Sequence, residues 1–558
     1  MTVVTFNRKE LEEKIGKINE KMEEKINLFG TSVEELTSDN LSIDVTPNRP
    51  DLLSFQGFVR SFLQFLEKKK IASFKVNNPE KNYSVKIEKA VKKVRPYTVC
   101  MIVKNLKLTD EKIKELIDIQ EKLHLTMGRK RKKLAIGIYP LEKIKLPIRF
   151  TAKKPEEIKF QPLEFPRELN GRQILSQHPA GREYAHLLEK EEVFPIFLDS
   201  NDKVLSMPPI INSQETGKIT LQTKEVFVEC SGSNIVYLKR ILNILACCFF
   251  DMGGEIYYME IEDTENKIPF LSPNLDFEKI KFLIEDINKT LGLKLGEKEI
   301  QKLLEKRGIG MQVLKNENFA LIPPYRTDIL HWIDLAEEVG IGYGYENFIP
   351  EIPKISNIAE ESKKEKTKKL IEEILIGLGF IECSSFHLAI KEEIKNMHYN
   401  FKDFIEIEGS KTEYNTLRID LLSNLLRILH ENSDSSYPQE IFEIGRVFVK
   451  NKEKETGVEE KQHLGICLAN EKVNFTNIKQ VLDYLFKMLG IEYKLEQVED
   501  SNFIIGRSGK IMIKIKDEKG REAEKQIGVL GELSPRVLKN WKIKVPVSAL
   551  ELNLDFLN

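Results

Sequence analysis

Apolar positions along the chain fall into four patterned stretches separated by polar connectors. The first opens with an alternating strand, TVVTF, and a charged helical stretch from Arg8 to about Ile26. A second alternation, Leu41 to Val45, runs into Pro47-Asn48-Arg49-Pro50, where two prolines fix a turn and Asp51 is placed to cap the helix LLSFQGFVRSFLQFLEKKK. In the second stretch, RPYTVCMIVKNL reads as a strand, DEKIKELIDIQEKLHLTMG as an amphipathic helix, and GRKRKKLAIGIYPLEKI as a basic turn feeding an apolar strand. PIRFTA, VFPIFLDS, KVLSMPP and VFVECSGS add strands, and Ile235 to Met252 reads as a buried helix. The third stretch predicts helices over Asp276 to Leu291 and GEKEIQKLLEKRG, a hairpin turning at Lys315-Asn316-Glu317-Asn318, and a last helix from about Trp332 to Glu338. A connector with Pro and Glu, 350–362, precedes the fourth: a helix ended by Gly379, then strands such as EIFEIGRVFVK, HLGICLA and PVSALELNLDFL. The pattern predicts a multidomain chain of mixed α/β and α+β class, with units at 1–90, 91–262, 266–350 and 353–558, the last an antiparallel sheet with flanking helices.

Length agrees: 558 residues at roughly 100–200 per domain give about three to five domains. The 86 basic and 87 acidic residues nearly cancel, so any nucleic-acid contact must come from a local patch or a partner. The six cysteines form no C-x-x-C pair and fit a reducing compartment. The start, MTVVTFNRKELEEKIG, is charged too early for a signal peptide. The most apolar run, 235–250, is interrupted by Lys239 and Arg240 and falls short of the roughly 20 residues of a membrane span. A cytoplasmic protein with no membrane partner is expected.

Self-contained catalytic signatures are missing. No phosphate-binding G-x-x-x-x-G-K-[ST] loop, G-x-G-x-x-G, G-x-S-x-G or H-E-x-x-H occurs. His124, His178 and His186 lie in one region, and local hydrogen bonding accounts for each as readily as catalysis does. Asp334 precedes Glu337 and Glu338 by one helical turn, and Asp328 lies in the turn before them. Four carboxylates without His or Cys suit a hard cation such as Mg²⁺; on spacing alone they equally suit a solvated acidic helix start. Arg129, Lys130, Arg131, Lys132 and Lys133 form a basic run that reads either as a tRNA phosphate contact or as a solvated turn.

Eight blocks in collinear order resemble the beta subunits of phenylalanine–tRNA ligases (phenylalanyl-tRNA synthetases) of the archaeal and eukaryotic type. They are TPNRPDLLS (46–54), LHLTMGRKRKKLAIGIYPLEKI (123–144), HPAGREYAHLL (178–188), VLSMPPIINSQETGKIT (204–220), IPPYRTDILHWIDLAEEVGIGYGY (322–345), LRIDLLSNLL (417–426), FEIGRV (442–447) and IGVLGELSPRVL (527–538). The resemblance implies a subunit that does not itself aminoacylate. Two such chains would join two catalytic alpha subunits, which bind ATP and phenylalanine and charge tRNA(Phe). It implies that 91–262 is a tRNA-editing domain, that 266–350 is a metal-binding domain and that 353–558 is a non-catalytic, class II synthetase-like interface domain. Asp328, Asp334, Glu337 and Glu338 match the family's Mg²⁺ ligands, and Ser206, Glu229 and Ser231 match its editing pocket. Glu229 and Ser231 depart from the family's usual aspartate and threonine, and Asn234 stands where an acid is common; the longer Glu229 would protrude by about one methylene. Two rival readings stay open: a free-standing tRNA deacylase, and a scaffold or RNA-binding subunit whose editing site has decayed.

Overall fold

Alternating segments pair as strands wherever both faces find apolar cover. The computed structural model describes residues 2–264, 269–353, 355–398, 401–516 and 522–557, and the chain divides into two compact units, 1–352 and 353–558. No helix among the described residues is long and apolar enough to cross a membrane.

The first unit begins with three antiparallel strands, β1 (Thr2–Asn7), β2 (Ser32–Leu36) and β3 (Asn40–Val45), with β3 in the middle. The helix expected from Arg8 to Ile26 is two helices, Arg8–Ile15 and Glu20–Leu28, because Gly16 takes φ 101° and Asn19 caps the second. Helix α1 (Phe55–Phe65) follows the proline turn. Its cap is Ser54, whose hydroxyl accepts from Gly57 N at 3.0 Å; Asp51, expected in that role, is buried against Arg49 instead.

A mixed sheet comes next, built from β4 (Ser84–Ile87), β5 (Tyr97–Lys104), β6 (Leu134–Pro140), β7 (Ile148–Lys153), β8 (Phe194–Leu198), β9 (Val204–Met207), β10 (Ile211–Asn212), β11 (Val226–Gly232) and β12 (Glu255–Asp263). Its order is β10-β9-β8-β7-β4-β12-β5-β11-β6. Period two divides the side chains between faces. Val99, Met101, Val226, Val228 and Cys230 share a core with the helices α2 (Asp110–Leu125) and α3 (Ile235–Asp251). Cys100, Ile102, Tyr139 and Phe227 belong to the core of the opposite face. The α3 core continues from Val4 in β1 to Tyr325, so the segments read as units at 1–90, 91–262 and 266–350 pack together.

The third segment holds β13 (Glu278–Phe282), α4 (Ile284–Leu291), α5 (Glu297–Lys306), β14 (Gly310–Leu314), β15 (Glu317–Ile322) and α6 (Trp332–Tyr343). Helix was expected from Asp276 onward. The EKIKF alternation instead makes β13, which pairs with β15 and buries Phe282. The hairpin turns on Lys315 and Asn316, both at positive φ, the two-residue geometry that matches strand twist.

Buried charges tie these pieces together. Arg49 holds Asp51 through two bonds of 2.8 and 2.9 Å. Arg60 of α1 pairs with Asp251 at the end of α3 and lies 3.9 Å from the centre of the Tyr325 ring. Arg307 donates to Glu338 at 2.7 Å and to the Phe29 carbonyl at 2.9 Å. Arg326 donates to Glu338 at 2.7 Å and, at 2.7 and 2.9 Å, to Asp328.

In the second unit a seven-stranded sheet is covered on both faces. Its elements are α7 (Lys363–Gly377), β16 (Ile381–Glu382), α8 (Leu422–Glu431), β17 (Gln439–Lys450), β18 (Val458–Ala469), α9 (Phe475–Leu489), β19 (Lys494–Gln497), β20 (Phe503–Lys516), β21 (Glu522–Leu533) and β22 (Val547–Asn553). The order is β16-β17-β18-β22-β21-β20-β19, antiparallel except for β16 beside β17. Helices α7 and α9 share a core with one face and α8 with the other. Buried Arg418 links two sequence blocks: it donates to Glu443 at 2.6 Å and lies where a side chain at Gly445 would stand.

Replacing Glu338 with Ala removes the shared counter-charge of two buried arginines. It is expected to destabilise the protein by about 3–5 kcal/mol. Replacing the exposed neighbour Glu337 is expected to change stability by less than about 0.5 kcal/mol. Urea unfolding of the two full-length variants checks the contrast.

Candidate functional site

Strand β6 ends the sheet on one side, and β9 and β10 end it on the other. The sheet curls until these ends meet: Tyr139 Oη of β6 lies 2.7 Å from Ser206 Oγ of β9 and 3.4 Å from Asn212 Oδ1 of β10. Helix α2 stands across the opening, and between them is a cavity of about 370 Å³. Ile113, Leu116 and Ile117 of α2, with Ile136, Ile138 and Ile210, give it apolar walls. Its polar side chains are Ser206, Asn212 and Glu229, with Gln120, Glu121, His124, Arg131, Glu164 and Lys218 elsewhere on the lining.

Glu229 is 1% exposed and follows Phe227 on the same face of β11. Its Oε1 lies 3.4 Å from Tyr139 Oη, and its Oε2 has no hydrogen-bond partner. Burial pushes its pKa up to about 8, although nearby Arg95 pulls the other way. The acid is therefore neutral at neutral pH. Room for the long side chain comes from Gly137, directly opposite on β6. A side chain there would begin 2.2 Å from Tyr139 Oη and 2.6 Å from Glu229 Oε1.

Ser231 stands beside Glu229, where its hydroxyl helps hold that acid's pKa down, but it is placed differently from Ser206. It is buried against Arg95, which donates to its hydroxyl at 3.0 Å and to its carbonyl at 2.6 Å, and it is not among the cavity-lining residues. Asn234 caps α3, accepting from Tyr237 N at 3.1 Å. The three histidines do not converge. His124 lines the cavity, where its Nε2 accepts from Ile136 N at 2.8 Å and burial lowers its pKa. His178 caps a short helix and His186 is exposed.

The basic run divides too. Arg129, Lys130 and Arg131 take φ of 46°, 53° and 61°, a left-handed stretch of three non-glycine residues. Arg131 turns inward, donating to the Ile210 carbonyl at 2.9 Å and to Glu121 at 2.8 Å. Lys133 lies over the Tyr237 ring. Arg129, Lys130 and Lys132 are exposed. Tyr139 and Gly137 are residues beside the site that the sequence did not single out, and the I-G-I-Y alternation before the proline was the available signal; Arg131 was read only as part of the basic run, not as a cavity-lining group.

The four carboxylates read as Mg²⁺ ligands do not share a point. Asp328 and Glu338 are taken up by Arg326, and Glu338 also by Arg307. Burial alone would raise Glu338, but Arg307, Arg326 and Arg49 hold it far below the usual carboxylate range. Asp334 Oδ2 accepts from Leu330 N and His331 N, both at 2.8 Å, closing the start of α6. Glu337 is exposed. Among the described residues no group of three or more His, Cys, Asp or Glu is placed to hold a metal ion. The arrangement does not fit one cation held by all four, because two of them already neutralise guanidinium groups.

Comparison with known proteins covers nearly the whole chain. Residues 80–244 match the B3/4 domain model, 280–345 the tRNA synthetase B5 domain, and 349–554 the phenylalanyl tRNA synthetase beta chain CLM domain. The phenylalanine–tRNA ligase beta subunit of Archaeoglobus fulgidus is 34% identical over 100% of this chain and 98% of its own length. That of Pyrococcus horikoshii is 36% identical over 91% and 89%, and that of Pyrococcus furiosus 37% over 91% and 89%. Among solved structures, an N-terminal fragment of the Pyrococcus horikoshii phenylalanyl-tRNA synthetase beta subunit superposes with a TM-score of 0.58 at 32% identity, covering 61% of this chain and 99% of the fragment. With relatives this similar over nearly the whole chain, it belongs to the phenylalanine–tRNA ligase beta-subunit family.

Proposed function

We propose that this chain works as the beta subunit of a cytoplasmic phenylalanine–tRNA ligase. A separate alpha subunit binds ATP and phenylalanine and charges tRNA(Phe), two alpha chains assembling with two beta chains. The 353–558 unit, which carries no ATP-binding signature, serves as a non-catalytic, class II-like interface. The domain around the cavity removes tyrosine attached in error.

The observation that carries the editing reading is an apolar-walled cavity with a neutral, partly unsatisfied acid among its polar residues. A pocket shaped for phenylalanine rejects an added hydroxyl by only about a hundredfold, so a second, hydrolytic selection has a use. An apolar sleeve accepts the ring of a tyrosyl ester, and the carboxyl group of cavity-lining Glu229 offers an acceptor to its hydroxyl. Because Glu229 is neutral, this bond lacks the charge assistance a carboxylate would give, and binding avoids dehydrating a buried charge. Hydrolysis then needs only a water positioned on the ester carbonyl, with the terminal ribose hydroxyl of the tRNA as the leaving group. The exposed Arg129, Lys130 and Lys132 lie in the same turn as pocket-lining Arg131 and supply phosphate contacts for the acceptor end.

Phenylalanine-dependent ATP–pyrophosphate exchange should be absent from the purified chain and appear when the alpha subunit is added; exchange by the chain alone would overturn the division of labour. In the assembled ligase, Glu229→Ala should slow hydrolysis of Tyr-tRNA(Phe) about tenfold, the worth of roughly one hydrogen bond, with aminoacylation unchanged. Equal hydrolysis by the two forms would leave the domain a scaffold.

A further inference from the structure

Two helix ends meet outside the editing cavity. Helix α1 finishes at Phe65 and α5 at Lys306, and between them lies a groove of about 640 Å³ that shares no lining residue with the cavity. Five of its nine lining residues are lysines: Lys68, Lys69, Lys70, Lys302 and Lys306. The whole chain carries 86 basic residues against 87 acidic ones, so this density of charge belongs to the place and not to the composition.

The groove has a fixed frame. After α1, Glu67 takes φ 56°, and the Lys68 and Lys69 amides both donate to the Leu63 carbonyl, at 2.9 and 3.2 Å. Buried Gln64 donates to the Lys70 carbonyl at 3.4 Å and accepts from Tyr325 Oη at 3.3 Å, which ties the lysine turn to the third segment. Lys302 and Lys306 stand one helical turn apart on α5, a spacing at which like charges repel. Both reach Glu67, at 3.2 and 3.6 Å, and Lys302 foremost holds that carboxyl below its usual range.

Local partners balance only part of this charge. Glu67 and Glu305 supply two carboxylates, and Asp251, 3.5 Å from Lys69, is already paired with Arg60. Each helix C-terminus adds about half a negative charge. Five ammonium groups therefore face about three negative charges, and about two positive charges stay unbalanced among the described residues.

We propose that this groove is a second contact for the RNA substrate, its ammonium groups following the phosphate backbone. The proposal rests on the ligase reading, because tRNA is the polyanion such a ligase handles. Lysine presents a point charge on a flexible stem and meets a phosphate without the fixed fork of arginine. The lining has no aromatic ring on which a base could stack, so the contact is to the backbone and carries no sequence information. The volume suits a nucleotide-sized stretch more than a lone phosphate group. The groove thus adds affinity and orientation, while selection stays with the cavity.

The test measures binding of a tRNA(Phe) transcript to the assembled ligase by fluorescence anisotropy across a salt series. Lys70 and Lys302 are exposed, and Glu67 keeps Lys306 when Lys302 is lost, so Lys70→Ala/Lys302→Ala spares the frame. At about 50 mM salt its affinity should fall about tenfold, and the slope of log K against log salt should be shallower by about 1.5, since each phosphate contact contributes roughly 0.7–0.9. The deficit should then close as salt approaches about 0.25 M. An unrelated tRNA should lose the same factor, and Lys70→Arg/Lys302→Arg should restore both affinity and slope. A double-alanine slope that overlays wild type, or a deficit that salt leaves untouched, overturns the proposal. So does undiminished RNA binding with weaker association of the alpha subunit, which makes the groove a protein contact. In all of these the wild-type ligase still binds tRNA(Phe); no binding by wild type overturns the ligase reading as well.

Discussion

The first unit depends on charges that are buried and matched. Arg49 and Arg60 come from the first segment and Arg307 and Arg326 from the third, and each finds a carboxylate among Asp51, Asp251, Asp328 and Glu338. Buried ion pairs of this kind give little net stability over apolar packing, but a register that leaves one arginine unpaired is heavily penalised. The network therefore fixes arrangement more than it adds stability. Through Asp251 it sets the end of α3, α3 packs on β11, and the outer face of β11 carries Glu229. The cavity is held from a distance by groups that never touch it.

Much of this was legible in the sequence, because the responsible physics is local. Period-two runs became strands, the largely apolar 235–251 segment became a buried helix, and Lys315-Asn316 became the hairpin turn. The misreadings arose where a competing local option won or where the fold supplied a distant partner. Gly16 ended a helix that charge spacing continued, and a five-residue alternation before α4 took a strand partner that only the folded chain provides. Asp51 and the carboxylates near α6 show the limit of spacing arguments most clearly. Helical geometry puts acids on a common face but says nothing about which guanidinium takes each: Arg49 and Arg326 claim Asp51 and Asp328 from two residues away, and Arg307 and Arg326 reach Glu338 from farther along the chain.

The candidate site was half legible. Ser206, Glu229 and Arg131 line the cavity, whereas Ser231 is buried against Arg95. Tyr139 escaped notice because a tyrosine in an apolar strand looks like core, and it is fully buried core; only its hydroxyl turns to polar partners, the cavity-lining Ser206 and Glu229. Glu229 looked one methylene too long on sequence grounds, and a glycine on the neighbouring strand absorbs the difference. Neither compensation is detectable along the chain, since each lies across a strand ladder whose register has to be known first.

Gly137 carries an evolutionary consequence. The polar end of the pocket exists because one methyl group is missing from an otherwise apolar strand, so a single Gly-to-Ala codon change would drive a carbon into both oxygens. Most routes to losing a buried active site pass through unfolding and are purged with the whole protein. Here the disturbance would centre on two side-chain tips while the ladder between β6 and β11 persists. Under the editing function proposed for this cavity, fidelity and assembly can then drift apart within a lineage: a population under relaxed demand for accuracy can discard the one in a single heritable step, keep the other, and recover both by reversing it.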